Sequence, residues 1–441
     1  MAFLAVIIIN LICYNNYTLK NQLLQKKQED NIVMSITGII AEYNPFHNGH
    51  IYHIKNASRL ANCHGIIAVI SGDFVQRGTP SIIDKWNKTR IALLNGIDLV
   101  IELPVLYSIS SAEFFAHGAT SLLNSLGVVD NICFGSECTD IQILDLISQI
   151  LVDEPPELKA NIKNELMTGK SYAEARSNSL ITLIRKKYKY TLSDDLKSIL
   201  SSPNNILAIE YIKSLKKLHS SMRVFPIERI GESYCSSKIT ENFPSSSAIR
   251  EFLKSGNDIS TIRRNLPDDT YNLVSRFRSQ NYNFSMEDSI VPYLKYKCFF
   301  SKNNMNNLPD VSEGLENRIF RAIENNSSYN DIILSSKSKR YAYTRISRIL
   351  CQFFLGFEKF DTKALREKDC PYARVLGFNR KGMEILKKAK HTSSIPIYTK
   401  FPKKLDEILT LDLLATKAYS LLNRYVDFNS DYKKGPVIFK N

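Results

Sequence analysis

Two histidines three residues apart, His47 and His50, enclose Asn48 and Gly49 just after an apolar run, and their type and spacing suit them to chemistry. At a strand-to-helix junction both imidazoles can face one ligand. Gly49 lets that ligand approach the backbone closely, and the start of the following helix supplies amide donors and positive potential for a phosphate. Imidazoles placed there can donate hydrogen bonds to phosphate oxygens as charge develops during displacement at the α-phosphorus of ATP, which is adenylyl transfer. His47 and His50 are therefore the catalytic candidates. A pair that only packs, or that binds a metal, has the same spacing, and His-x-x-His alone is a weak signal. Its position directly after the first strand of a parallel sheet strengthens it.

Three further groups could serve the same chemistry. Phe243 to Arg250 places the hydroxyls of Ser245, Ser246 and Ser247 at a helix start and the Arg250 cation one turn inside, which suits the β- and γ-phosphates. Serines before helices are also common as plain caps; the histidine motif makes the phosphate role the better reading. Ser71 to Gly78 brings Gln76 and Arg77 to the edge of the sheet that carries His47, where they could orient an acceptor or pyrophosphate. Lys85, Lys88 and Arg90 follow, able to meet the phosphates of a larger substrate, although a solvated basic helix face explains Lys85 and Lys88 equally well. Far along the chain, Lys337, Lys339, Arg340, Arg345 and Arg348 interleave with Tyr341 and Tyr343, a pattern that suits nucleic acid, with cations on phosphates and tyrosines for stacking. An amphipathic helix with a basic exposed side is the plainer alternative.

The elements that would position these residues can be read from apolar patterning. Strands are expected at Ile36–Ala41, Gly65–Ser71, Leu99–Leu103 and Val128–Phe134, with helices from Gly49, over Lys85–Leu94 and over Glu113–Leu126 between them. Alternation at this spacing means a parallel sheet with helices on both faces, and ligands sit at the carboxyl ends of such strands. Residues from Ile141 to Lys217 read as helical with a break at Ser201–Asn205, and one more strand is expected at Arg223–Ile227. The fold class is α/β: a Rossmann-like domain over 34–255, then a mostly helical C-terminal domain over 256–441.

Bulk properties narrow the partners. The 441 residues are too many for one small core, and 44% apolar content fits a folded protein. A net charge of +14 favours a polyanionic partner, nucleic acid first and an anionic membrane surface second. The eight cysteines form no CxxC pair, and none has zinc-site companions, so no protein-held metal is expected and a reduced, cytoplasmic setting is. Phe3 to Cys13 is apolar but too short to span a bilayer, and it lacks the flanks of a secretory signal. Residues 1–33 read as an extension ahead of a start at Met34, with a membrane anchor as the alternative.

Longer strings around these residues resemble those of the bacterial tRNA(Met) cytidine acetate ligase family, part of the HxGH nucleotidyltransferase superfamily. They are Glu42 to His50, Ser71-Gly72 with Phe74 to Gly78, Asp98 to Pro104, Pro203 to Leu207, Glu313 to Arg318, Lys339 to Arg345 and Arg374 to Phe378. Asp73 stands where asparagine is usual, and Thr79 where glutamate is. The resemblance runs from Ser35 to the C-terminus. It implies activation of acetate with ATP to acetyl-adenylate and pyrophosphate, then acetylation of the exocyclic amine of the wobble cytidine in elongator tRNA(Met), with AMP leaving. It also implies an ATP site of Ile40, Ala41, Glu42, Tyr43, Asn44, Pro45, Phe46, His47, Asn48, Gly49, His50, Ile51, Tyr52 and His53, completed by Gly135, Asn204, Arg229 and Ile230. Magnesium bridging the triphosphate is expected, though no residue demands it. The partners are then tRNA and acetate, with neither membrane nor protein partner. No general base stands out for the acetyl transfer. Two rivals remain at this point: an adenylyltransferase acting on a small molecule, and a non-catalytic RNA-binding protein on a vestigial nucleotide fold.

Overall fold

A strand covered by helices on both faces must be apolar throughout rather than alternating. Ile36–Ala41 (β1) and Gly65–Ser71 (β2) obey that rule, with every residue of β2 buried. A computed structural model of the chain describes residues 35–188, 193–229, 244–300 and 302–439. Residues 1–33, with the extension expected there, and Ile230 lie outside the described residues.

After β2 comes a short antiparallel hairpin, Phe74–Val75 (β3) with Thr79–Pro80 (β4). Leu99–Leu103 (β5), Asn131–Ser136 (β6) and Arg223–Glu228 (β7) complete a parallel array in the order β5-β2-β1-β6-β7. β6 begins three residues later than its apolar run suggests, because Val128 is buried in the approach to the strand. The chain leaves β1 towards β2 and later returns to β1's other side with β6. The carboxyl ends of β1 and β6 are thus the switch point where such sheets bind ligands.

Alternate residues of β1 go to opposite layers. Ile36 and Ile40 pack with helices α3 (Ala112–Ser125), α4 (Ile141–Asp153) and α5 (Pro203–Lys217). Ile39 packs with α1 (Asn48–Leu60), α2 (Lys85–Leu94) and α6 (Ser246–Lys254). Side-chain caps start several of these helices: Asp84 Oδ1 accepts from Trp86 and Asn87 N–H, and Asp140 from Gln142 and Ile143 N–H.

Residues 256–441 are mainly helical but also supply three strands, Ala373–Phe378 (β8), Ile397–Tyr398 (β9) and Val437–Ile438 (β10). β8 lies antiparallel against β5, pairing Leu99 with Phe378 and Glu102 with Arg374, and β9 and β10 both pair with β8. A short, largely apolar segment between helical ones looks like a buried helical turn by periodicity alone, and here it is a strand. The expected boundary at 255/256 therefore does not divide the core. Ile249 and Leu253 before it share one apolar cluster with Ile259, Ile262 and Leu273 after it, and residues 36–441 form one compact unit.

A buried ionic cluster fastens β8 in place. Lys85 Nζ lies 2.9 Å from both Glu102 Oε1 and Asp431 Oδ1, and Arg374 bridges the same two acids at 2.9 and 2.8 Å. Asp73 adds a third carboxylate, accepting Lys85 N–H at Oδ1 (2.9 Å). Burial first, then the neighbouring acids, pushes the Asp73 carboxyl up to about 7 against the pull of Lys85.

Candidate active site

The carboxyl ends of β1 and β6, the start of α1 and the start of α6 enclose a cavity of about 280 Å³. Its first wall is built by α1 itself. His47 caps the helix: its Nδ1 accepts Gly49 N–H at 3.0 Å, while His50 Nδ1 accepts His47 N–H at 3.1 Å. A ring nitrogen that accepts carries no proton, so both imidazoles, when neutral, hold their hydrogen on Nε2. Burial drives His47 down to about 3 and His53 to about 4, with the Arg229 cation adding to both, and burial pushes His50 down too, helped by His47, His53 and Arg229. At neutral pH the wall is uncharged and offers N–H donors. His53 Nε2 is buried without a hydrogen-bond partner among the described residues.

Packing fixes the rings. The His47 and His50 centroids are 3.9 Å apart, and His50 sits edge-on to Tyr43 at 4.9 Å and against Phe46 at 5.2 Å. Gly49 is required beneath them, since a Cβ there would stand 2.8 Å from His47 Cε1. Tyr43 turns the chain out of β1 with φ +50°. Asn44 Oδ1 then accepts Ile82 N–H (2.9 Å), and Asn48 Nδ2 donates to Arg264 O (2.7 Å).

The start of α6 closes the second wall as the serine cluster suggests. Ser245 caps the helix through Ala248 N–H, and Ser246 Oγ donates to Pro45 O at 3.4 Å. Arg250 donates from Nη1 to Asn44 O (2.8 Å) and from Nη2 to Ser247 Oγ (3.2 Å), tying this helix to the histidine loop. On the third side, Arg229 lies across Gly135 and donates to Asn204 Oδ1 (3.3 Å). Glu137 holds Asn204 Nδ2 at 2.6 Å and Asn205 N–H at 3.0 Å.

Of the residues expected at the ATP site, Ile40, Ala41, Glu42, Tyr43, His47, Gly49, His50, Tyr52, His53, Gly135, Asn204 and Arg229 line the cavity. Gln76, Arg77, the three serines and Arg250 line it too. Asn44, Pro45, Phe46, Asn48 and Ile51 do not; they shape the loop from behind. Sequence reading missed Glu137, Phe115, Phe134, Leu207 and Tyr211, which also line it. Glu137 could have been found as a polar residue just past a parallel strand. The other four read as ordinary core positions.

The expected tRNA contacts divide. Lys85 and Lys88 are each 1% exposed and face no solvent. Lys85 belongs to the ionic cluster, and Lys88 Nζ donates to the carbonyls of Gly72 (2.6 Å), Ser71 (2.7 Å) and Glu42 (3.1 Å), bracing the ends of β1 and β2. Arg348 is buried beside Asp310, and Arg345 donates twice to Asp310 O while covering the Tyr341 ring. Those four are structural. Arg90, Lys337, Lys339 and Arg340 are exposed, Arg340 pairing with Glu313 at 3.1 Å.

The exposed basic loop leads into helix α7 (Tyr343–Leu355), which supports the cavity's Gln76–Arg77 edge. Tyr329 Oη and Ser347 Oγ both donate to Gly78 O, at 2.9 and 3.2 Å. Gly78, at φ +78°, lies so close to Arg348 that a Cβ would meet its backbone at 2.5 Å. Among the described residues, no group of three His, Cys, Asp or Glu could hold a metal, and no helix is long and apolar enough to cross a membrane.

A three-layer α/β fold with two imidazoles at its switch point defines a class, and a family model described as HIGH Nucleotidyl Transferase matches residues 34–434. A Clostridium kluyveri protein named tRNA(Met) cytidine acetate ligase is 59% identical over 405 residues, covering 92% of this chain and 99% of its own. A Clostridium tetani protein of the same name is 46% identical, again over 92% of this chain. The chain belongs to the tRNA(Met) cytidine acetate ligase family. The crystal structure of apo Thermotoga maritima TmcAL superposes with TM-score 0.85 at 32% identity, covering 92% of this chain and all of that one. The same protein bound with alpha-thio ATP gives 0.82 at 31%.

Proposed function

We propose that this chain is a tRNA(Met) cytidine acetate ligase: it condenses acetate with ATP, releasing pyrophosphate, and transfers the acetyl group to N4 of the wobble cytidine of elongator tRNA(Met). The observation that carries this reading is the pair of neutral imidazoles whose Nδ1 atoms are both engaged by backbone N–H groups. Their Nε2–H groups are thereby committed to donation at the end of a helix that already attracts phosphate. Such donors stabilise charge that grows on the departing pyrophosphate, and they need no reorganisation as the reaction proceeds.

Ser245, Ser246, Ser247 and Arg250 suit the β- and γ-phosphates. Gly135, Asn204 and Arg229 suit the nucleoside end. Among the described residues no cluster of His, Cys, Asp or Glu could hold a metal alone, and magnesium commonly takes its ligands from phosphate oxygens and water. Acetate itself is a poor acyl donor, and adenylation gives it AMP as a leaving group. An unstacked anticodon-loop base exposes its amine to such an acyl group. Arg90, Lys337, Lys339 and Arg340 are the cations available to the tRNA backbone, and the basic loop joins the cavity through α7 and Gly78.

The test is incubation of purified protein with ATP, labelled acetate and bulk tRNA, followed by nucleoside analysis. Label in N4-acetylcytidine is the expected result. Pyrophosphate release with a small acceptor and no labelled tRNA would identify a small-molecule adenylyltransferase, and absence of ATP turnover would leave only RNA binding.

A further inference from the structure

The cavity has two unlike sides. The histidines, Arg229 and the α6 serines belong to the side of the sheet that carries α1 and α6. Across the end of β1, the opposite side is lined by Phe115 of α3, Phe134 of β6 and Tyr211 of α5. Phe134 and Tyr211 lie 5.5 Å apart, and burial, with the charge of Glu42 added, raises the Tyr211 phenol and keeps it protonated. Phe115, Phe134 and Tyr211 bring no charge of their own, and the cation nearest in sequence to this edge is Arg77, next to Gln76.

Glu42 stands between the two sides. Its Oε1 accepts Gln76 N–H at 2.7 Å, which fixes the carboxylate, and Oε2 has no partner among the described residues. A fixed carboxylate repels a triphosphate, whereas an apolar cleft with one acceptor suits a neutral aromatic ring that carries an N–H donor. Gln76 in turn donates from Nε2 to Ser110 O (3.3 Å), which connects this edge to the segment leading into α3 and Phe115.

We propose that Glu42, Phe115, Phe134 and Tyr211 form the subsite for the acceptor base, with Glu42 as the general base for acetyl transfer. This rests on the ligase reading above. The N4 nitrogen of the cytosine forms a bond to the acetyl carbonyl carbon, and the bond from that carbon to the adenylate oxygen breaks. AMP departs with the electron pair, and the N4 proton passes to the Glu42 carboxylate, which later releases it to solvent. Glu42 thereby acts on the second half-reaction, in which no base was evident from sequence.

Glu42→Gln keeps an oxygen for the Gln76 amide and removes the ability to take a proton. The experiment compares two rates in wild type, Glu42→Gln and Glu42→Asp. One is acetate-dependent ATP–pyrophosphate exchange; the other is single-turnover acetylation of tRNA by added acetyl-adenylate. For Glu42→Gln, transfer should fall by about 100-fold more than exchange does. Glu42→Asp should recover part of the transfer rate. Equal losses in exchange and transfer would assign Glu42 to the nucleotide and overturn the proposal, as would unchanged transfer. Wild-type protein that exchanges pyrophosphate yet never labels tRNA would overturn the ligase reading itself, a result separate from either variant outcome.

Discussion

Adding one methyl group at Gly49 should separate stability from activity. In Gly49→Ala the new Cβ would stand 2.8 Å from His47 Cε1 and 3.0 Å from its Nδ1. Ordinary carbon contact begins near ~3.5 Å, so the ring must withdraw by roughly 0.7 Å or rotate away. Either movement weakens the Gly49 N–H to His47 Nδ1 bond, a loss of about 0.5–1.5 kcal/mol. Alanine in place of glycine inside a helix returns about 0.5–1 kcal/mol. These contributions nearly cancel, and the melting temperature should move by less than about 3 °C. Catalysis has no such compensation. The His47 and His50 rings are in contact, tilted at a centroid distance of 3.9 Å, so displacing one disturbs both, and a misplacement near 1 Å costs on the order of 100-fold. Acetate-dependent ATP–pyrophosphate exchange, run beside a thermal melt, gives both numbers. Exchange within about twofold of wild type at an unchanged melting temperature would refute the claim that the His47 ring position matters.

Removing the His50 ring in His50→Ala should lower adenylate formation by about 100- to 1,000-fold, with tRNA affinity by filter binding close to wild type. Lys339→Ala and Arg340→Ala should weaken tRNA binding, each reducing the slope of log K against log salt by about one; an unchanged slope would remove this loop from the RNA surface. Glu102→Gln leaves Lys85 and Arg374 with fewer counter-charges in a buried site, so unfolding should become easier by about 3–5 kcal/mol in urea titration, less whatever Asp73 recovers by ionising. His47 and His53 titrate near 6.5 in the unfolded chain but at about 3 and about 4 when folded, so the unfolded chain binds more protons between those values. Their contribution to stability is complete above about pH 6.5 and is lost as pH falls towards 4. A His53→Gln variant should therefore show a smaller drop in urea midpoint between pH 7 and 5.

The placement of His47 and His50 at the cavity was legible because it follows from type, spacing and local context, all of which a linear string carries. The same is true of β1, β2, β5 and the α6 serines. Lys85 and Lys88 were not, since a lysine on a polar helix looks the same whether it meets water or three carbonyl groups; only β8 and the residues around Asp431, brought in from the far end of the chain, bury that face. Arg345 and Arg348 misled in the same way, because Asp310 lies 35 residues upstream of Arg345 in sequence but directly against both in space. Asp73, unusual at its position by resemblance, became intelligible only once Lys85 was seen beside it. Phe115, Phe134 and Tyr211 carried no signal at all, being apolar residues at apolar positions.

The antiparallel seam between β5 and β8 also bears on how the protein is made. Glu102 and Arg374 are 272 residues apart, yet they form one ion pair inside that seam. At roughly 5–20 residues per second of synthesis, β5 leaves the ribosome some tens of seconds before its neighbour exists. Throughout that interval the growing chain presents an unpaired edge of Leu99–Leu103, together with Lys85 and Glu102 still awaiting Arg374 and Asp431. Nascent chains stalled before residue 373 should be captured by chaperones that recognise exposed strands, and chains extended past 439 should not.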